Sequence, residues 1–420
     1  MLKKRLFKRL AGISLSLLML ASCASKPVVI NQEEYTEISL SWWGNDARTE
    51  YTLAAVKKFE ELNPDIRVKC SYSEWSGYQT RYKIQMMSDT ESDVMLINFN
   101  WLDKYSKDGN GYYNIYDLKE NFDLSQFSES ELAFGVRNGK LNAVPIALNT
   151  QTAYYNKTIY DRYGLALPES WEDLFDAAQV MNGENYPISM PAKSAMFFIT
   201  AYTEQQSGKT FMTEDGQLGF GKEDLTTMLD FYTRLINSKV MPQVEYFDKN
   251  GIRNGSYGGA MAWLSDAENY MGPAREEGYE IVVGSYVGCS EGVKGWYTKP
   301  ATLYAVSAQT EHPREAALLL DFLLNSDEIS ELQGIEKGIP LSRSSRDYLE
   351  KHDKLKGLHY DAFLLMSENI DSMALINPFM EDSDMLDIFQ DACNAVLYGK
   401  ATAEEKAAEI YEQFSKMLDG

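Results

Sequence analysis

Aromatic rings sit beside amides and carboxylates at three places between residues 42 and 101: Trp42-Trp43-Gly44-Asn45-Asp46, then Ser73-Glu74-Trp75 with Tyr78, then Asn98, Asn100 and Trp101. Those side chains suit the binding of a polyol. The apolar face of a sugar ring packs on an indole or phenol, while Asn, Asp and Glu exchange hydrogen bonds with its hydroxyls. Bond-making chemistry has weaker support. With 62 acidic residues, paired carboxylates are inevitable, and no spacing singles out a general acid and a general base. GxSxG, P-loop and HExxH patterns are all missing.

Metal and redox chemistry fare no better. Cys70, Cys289 and Cys393 show no CxxC or Cys/His spacing, and at most one disulfide could join two of them. His312, His352 and His359 do not pair at the four-residue interval of a helical zinc site. The stretch Ser106-Lys-Asp-Gly-Asn-Gly111, with Asp117 beyond it, matches a calcium loop loosely, but Ser replaces the first ligand and a Gly-rich turn is expected. No cofactor and no metal are expected.

The elements that carry the three aromatic clusters are legible in the periodicity. Ile38, Leu40 and Trp42 alternate as a strand, which points Trp42 into a core and leaves Trp43 as the better site candidate. A helix with an apolar face of Ala55, Val56, Phe59 and Leu62 follows and stops at Asn63-Pro64. Ile66 to Tyr72 reads as a second strand, Ser76 to Met87 as a second helix and Val94 to Ile97 as a third strand. This alternation predicts a parallel sheet with covered faces, and ligands then sit beyond the carboxyl ends of its strands, where all three clusters lie.

Further along, Ser170 and Asp173 cap a helix over 171–181, in which Trp171 reads as packing. Leu225 to Ile236 forms a buried helical stripe, Leu303 to Ser307 a strand, Pro313 to Leu324 a helix, and Thr402 with Glu405 caps the last helix.

Charge excludes one class of partner and the N-terminus suggests an address. Forty Lys and Arg against 62 Asp and Glu give a formal charge of −22, which repels phosphate backbones, so no nucleic-acid partner is expected. Lys3, Lys4, Arg5, Lys8 and Arg9 precede an apolar run from Leu10 to Ala21 that is too short to span a bilayer. Leu20-Ala21-Ser22-Cys23 resembles the lipobox of bacterial lipoproteins, which implies a signal peptide over 1–22, acylation of Cys23, a tether over 23–35 and a place on the outer face of the cell membrane.

From about residue 36 onwards the chain resembles the extracellular solute-binding proteins of ABC importers, in the carbohydrate-binding branch related to maltose-binding protein. The resemblance is carried by Ala143-Val-Pro-Ile-Ala-Leu-Asn-Thr-Gln-Thr-Ala-Tyr-Tyr-Asn-Lys157 and by Tyr163-Gly-Leu-Ala-Leu-Pro-Glu-Ser-Trp-Glu-Asp-Leu174. Phe59 to Val68, Gly259-Ala-Met-Ala262, and Glu311 to Ala317 leading to Gly338-Ile-Pro340 support it.

It implies an α/β periplasmic-binding-protein-like fold of two lobes, each a mainly parallel sheet flanked by helices, with the ligand cleft between them. Lobe one is expected at 36–146 plus 296–340 and lobe two at 150–290 plus 345–420. Asn149 then lies beside a crossing strand, as cleft hydrogen-bonder or turn former, and Trp296 lies near another crossing. Relatives often carry a Gly and then a Trp after the Ala-Met strand, whereas this chain reads Trp263-Leu-Ser-Asp-Ala-Glu268, which makes Trp263 and Asp266 the candidate contacts of that loop.

The expected function is a monomeric, lipid-anchored receptor, not an enzyme, that passes a carbohydrate, an oligosaccharide, to an ABC permease. A surface glycoside hydrolase, or a receptor for a peptide or polyamine, is the alternative. If Cys23 carries the anchor, Cys23→Ala should lose lipid labelling and leave the membrane fraction for the soluble one. Retention of the variant in the membrane, with an unlabelled wild type, refutes the lipobox.

Overall fold

The computed structural model describes residues 35–213, 216–288 and 295–419. The expected signal peptide, Cys23, nearly all of the tether and Cys289 lie outside them.

Strand β1 (Thr36–Trp43) is followed by helix α1 (Asp46–Leu62), β2 (Ile66–Ser73), α2 (Trp75–Ser88) and β3 (Val94–Ile97). β1 lies between β2 and β3 and runs parallel to both, with Ile38, Leu40 and Trp42 buried on its core side. Asn45 caps α1 by accepting the Arg48 N–H at 2.9 Å, and Ala55, Val56 and Phe59 form its inner face. Leu62, expected on that face, is exposed in the last turn of the helix.

Beyond β3 the sheet changes character. A short hairpin, β4 (Val136–Arg137) and β5 (Lys140–Leu141), leads into the fourteen-residue β6 (Ala143–Asn156). Then come β7 (Gly259–Trp263), β8 (Ile281–Val283), the long β9 (Trp296–Val306) and β10 (Met373–Leu375). β6 pairs antiparallel with β9 over Ala143–Thr150, then with β7 from Gln151 and with β8 from Tyr154. β9 pairs antiparallel with β3 near its end and parallel with β10 at its start.

The path is β2-β1-β3-β9-β6-β7, a mixed sheet where mainly parallel pairing was expected. Parallel neighbours need a crossover helix. β1 to β3 have such helices, whereas β6 and β9 are long strands that meet directly and run opposite ways. The register slips between Pro145, Ala147 and Leu148, where Pro145 has no N–H to give to the ladder.

Helices cover the sheet with the expected punctuation. The Ser170–Asp173 capping box opens Trp171–Met181, Pro313 opens Pro313–Asn325, and Thr402 with Glu405 caps Ala403–Asp419 at 3.0 and 3.2 Å. The strand expected at 303–307 is the end of β9, which begins at Trp296.

In the 106–117 turn the buried Ser106 hydroxyl donates to Asn142 Oδ1 and accepts the Gly111 N–H, both at 2.8 Å, so it is spent on the turn itself. Among the described residues no group of three or more His, Cys, Asp or Glu side chains could hold a metal.

Trp296 corrects a sequence expectation. It is 3% exposed, its indole N–H donates to Val287 O at 3.0 Å, and its ring lies 6.2 Å from that of Trp171 and nearly parallel to it. The first residue of β9 faces a helical layer and not the cleft. Trp296→Ala should therefore lower ligand-free stability by about 3–5 kcal/mol in urea or thermal melts. An unchanged melt would place the ring at a surface.

Candidate functional site

The carboxyl ends of β1, β2 and β3 bring the predicted rings together. Trp43 closes β1 and Trp75 opens α2, with their centroids 5.0 Å apart and edge to face. Beneath them lies Trp101, in the short helix α3 (Asn100–Tyr105), 5.7 Å from Trp75 and nearly parallel to it. Tyr82 stacks under Trp101 at 4.0 Å, and Tyr78 packs beside it. Trp101, Tyr78 and Tyr82 are buried, whereas Trp75 keeps 38% of its surface. The buried rings hold the two outer indoles rigid, as a platform for a flat apolar ligand face requires.

The platform borders a cleft of about 640 Å³. Its walls include Trp43, Trp75 and Asn98 from the strand ends, Leu148 and Asn149 from β6, and Lys299 and Thr302 from β9. Leu264, Ser265 and Glu268 follow β7, while Ile335 to Gly338 and His359 come from the later chain.

Charge in this lining is ordered. Arg48 grips Glu336 in a fork at 2.9–3.2 Å, and the Tyr51 hydroxyl donates to the same carboxylate at 2.7 Å. Burial pushes the Glu336 carboxyl up, but the hydrogen bonds from Arg48 and Tyr51 outweigh it and hold its pKa below the ordinary value. Lys299 is paired with Glu381 and lies over the Trp263 ring at 4.8 Å.

Lys337 stands apart. It is 5% exposed, its ammonium donates to Tyr304 Oη at 2.9 Å, and among the described residues no carboxylate pairs with it. Burial, with Arg48 nearby, brings its pKa down to about 7, and Glu336 only partly opposes this. Burial also lowers the His359 pKa, against a small opposing effect of Glu268.

Gly338 places this lysine. Its φ is +100°, and a Cβ there would lie 2.7 Å from Ala147 Cβ, so the loop can rest on β6 only with glycine at that point.

Trp43, Trp75, Asn98 and Asn149 line the cleft, but the remaining sequence candidates do not. Asn45 is consumed as the cap of α1, and Asp46 sits exposed in its first turn. Glu74 precedes α2 on an exposed face, and Asn100 is exposed at the start of α3. Tyr78 is buried, and its hydroxyl is bonded to Leu96 O and Ser41. Trp263 backs Lys299 from the β7 end, Asp266 opens the helix Ala267–Glu276, and Trp296 is core.

Helix starts follow strand ends directly, and Asn45 and Asn98 spend their side-chain oxygens on helix-start N–H groups. Even Asn149, which does face the cleft, has its amide bonded to Ser265 at 3.0 and 3.2 Å. Sequence reasoning missed Arg48, Lys299, Thr302, Glu336, Lys337 and His359. The one available signal was Gly338-Ile-Pro340 directly behind Glu336-Lys337.

A family model described as bacterial extracellular solute-binding protein matches residues 54–356. The chain belongs to this family. Among solved structures, a periplasmic oligogalacturonide-binding protein from Yersinia enterocolitica is 31% identical, with a TM-score of 0.81 over 91% of this chain and 99% of that one. A de novo designed cysteine esterase is 30% identical with a TM-score of 0.85, over 92% and 98%. A binding protein of Brucella abortus (strain 2308) is 25% identical over 350 residues, 80% of each chain. The α/β architecture of this solute-binding protein is that of its structural neighbours, as the resemblance implied.

The Lys337 site gives a signed pH prediction. The unfolded chain holds the lysine proton up to the ordinary value of 10.5 and the folded chain only to about 7. Between those values the unfolded state binds more protons, so stability rises with pH. Lys337→Met removes the buried charge and should stabilise the ligand-free protein by on the order of 1–3 kcal/mol near pH 6, with the gain fading towards pH 10. Urea melts across that range test this, and a gain independent of pH would contradict it.

Proposed function

We propose that this solute-binding protein is the lipid-anchored receptor of an ABC importer, which captures an oligosaccharide between two lobes and delivers it to the membrane permease. The observation that carries this reading is the rigid indole pair Trp43 and Trp75 on the wall of an open cleft, with Asn98 beside them. The oligogalacturonide-binding relative supports the ligand class, and the lipobox at Cys23 supports the anchor. Lobe one comprises 36–146 plus 296–340 and lobe two 150–290 plus 345–420. They are joined through β6 and β9, whose two ends pair with different strands. Sugar bound against both lobes favours the closed form.

Specific observations weigh against the other classes. A glycosidase needs a carboxylic acid with a raised pKa, whereas Glu336 is held down and Glu268 accepts two bonds from Arg275 at 3.0 Å. A cysteine esterase needs an accessible, acidified thiol. Among the described residues, burial instead pushes the Cys70 thiol up to about 11 and Cys393 well above its ordinary value, and neither lines the cleft. A polyamine would meet Arg48, Lys299 and Lys337.

The test is calorimetry against a panel of neutral and acidic oligosaccharides. Trp75→Ala should weaken the bound sugar by about 1–3 kcal/mol, fivefold to more than a hundredfold, while the ligand-free melting temperature holds. No binding across the panel, or full affinity without Trp75 and without Trp43, overturns the reading.

A further inference from the structure

We propose that Lys337 and the unpartnered polar groups of the same cleft lining form a carboxylate-reading subsite, so that the captured oligosaccharide is an acidic one built from uronic acid units. This deepens, and rests on, the oligosaccharide reading above.

Most polar acceptors of the cleft are already spoken for: both Glu336 oxygens by Arg48 and Tyr51, the Glu268 oxygens by Arg275, Asn149 Oδ1 by the Ser265 N–H, and Asn98 Oδ1 by the Asn100 N–H. The groups left over can all donate. The Lys337 ammonium uses one of its three N–H bonds, on Tyr304. Thr302 Oγ1 and His359 Nε2, both buried on the same lining, have no hydrogen-bond partner.

Neutral sugar hydroxyls both donate and accept and are best met by mixed partners. A lining whose free groups only donate, or can donate, suits a ligand that only accepts, and an ionised carboxylate is that ligand.

Charge agrees. In a chain of formal charge −22, the cleft wall carries Arg48, Lys299 and Lys337 against Glu268 and Glu336. The groups facing Lys337 are Arg48 and Tyr51 from α1, Tyr304 from β9 and its own neighbour Glu336, whose charge is committed to Arg48. An ammonium buried without a counter-ion is a cost that a folded protein relieves by losing the proton or by gaining an anion. A sugar carboxylate supplies the anion, while its pyranose ring meets the indole platform that lines the same cleft. Free phosphate or a simple acid would use the lysine but not the rings.

The test titrates the wild-type chain with di- to tetrasaccharides of galacturonate and of glucuronate, and with the same sugars reduced at the carboxyl to neutral hexoses. An acidic series should bind at least about tenfold more tightly than its neutral counterpart. Lys337→Met should erase that preference, with a loss of about tenfold to a hundredfold for the acidic sugar, as expected for a charge-assisted hydrogen bond. Thr302→Val, a milder change, should cost less and keep part of the preference.

Binding of the acidic sugar should also weaken as pH rises through about 7, where the free lysine loses its proton. That slope should vanish in Lys337→Met, a signature that a merely structural lysine would not give. Equal affinity for the acidic and neutral members, or a preference that survives Lys337→Met in a folded protein, overturns the subsite and leaves the oligosaccharide reading standing. No binding of any acidic or neutral sugar overturns both.

Discussion

The antiparallel pairing of β6 with β9 is the constraint on which the rest of the molecule depends. These two strands reach from the β1–β3 sheet to the strands β7, β8 and β10, and their meeting is locked by side chains as well as by the ladder. The buried Thr150 hydroxyl donates to Tyr297 O at 2.7 Å and Thr298 donates to Asn149 O at 3.1 Å. Leu148, Asn149, Lys299 and Thr302 enter the cleft from this pair. The two register slips after Pro145 lie beside them, one leaving an extra residue on β6 and the next an extra residue on β9. The Glu336–Gly338 loop is then seated against Ala147, which is how residues almost two hundred positions from β6 reach the same wall.

The cleft divides its labour between two kinds of surface. On the β1–β3 side, stacked rings provide a stiff apolar face whose rigidity comes from buried Trp101, Tyr78 and Tyr82, so the exposed indoles are ordered before any ligand arrives. Elsewhere in the lining, charges are paired so that acceptors are spent and groups able to donate remain. Lys337 makes the cost of this arrangement visible: a buried cation with a single hydroxyl partner weakens the ligand-free fold, which is what a site built to be completed by something else would do.

Polar residues at strand ends show why site residues are hard to read from a list of types. Asn45, Asp46, Glu74 and Asn100 all follow strands and sit at helix starts, where the α1 cap takes Asn45 and the Asn100 N–H takes Asn98 Oδ1, while Glu74 makes no capping bond. The aromatic members of those clusters divide between core and cleft: Trp42, Tyr78 and Trp101 are buried, whereas Trp43 and Trp75 line the cleft. Trp296 falls on the core side because its strand begins against a helical layer instead of ending at the cleft.

Local order in this protein was written in the sequence, because it depends on neighbours a few residues away. The alternation of Ile38, Leu40 and Trp42, the stop at Asn63-Pro64, the Ser170–Asp173 box and the Thr402–Glu405 cap are short-range interactions, and each forms where the sequence put it. The aromatic wall was legible for the same reason, since three strand ends on one edge of a sheet must lie together. Strand direction beyond β3, the burial of Trp296 and the cationic wall were decided only by the tertiary structure. Nothing within a few residues of Lys337 tells it to be buried or to face Tyr304. That follows from the contact of Gly338 with Ala147 across the fold, a long-range packing event that leaves no period in the sequence.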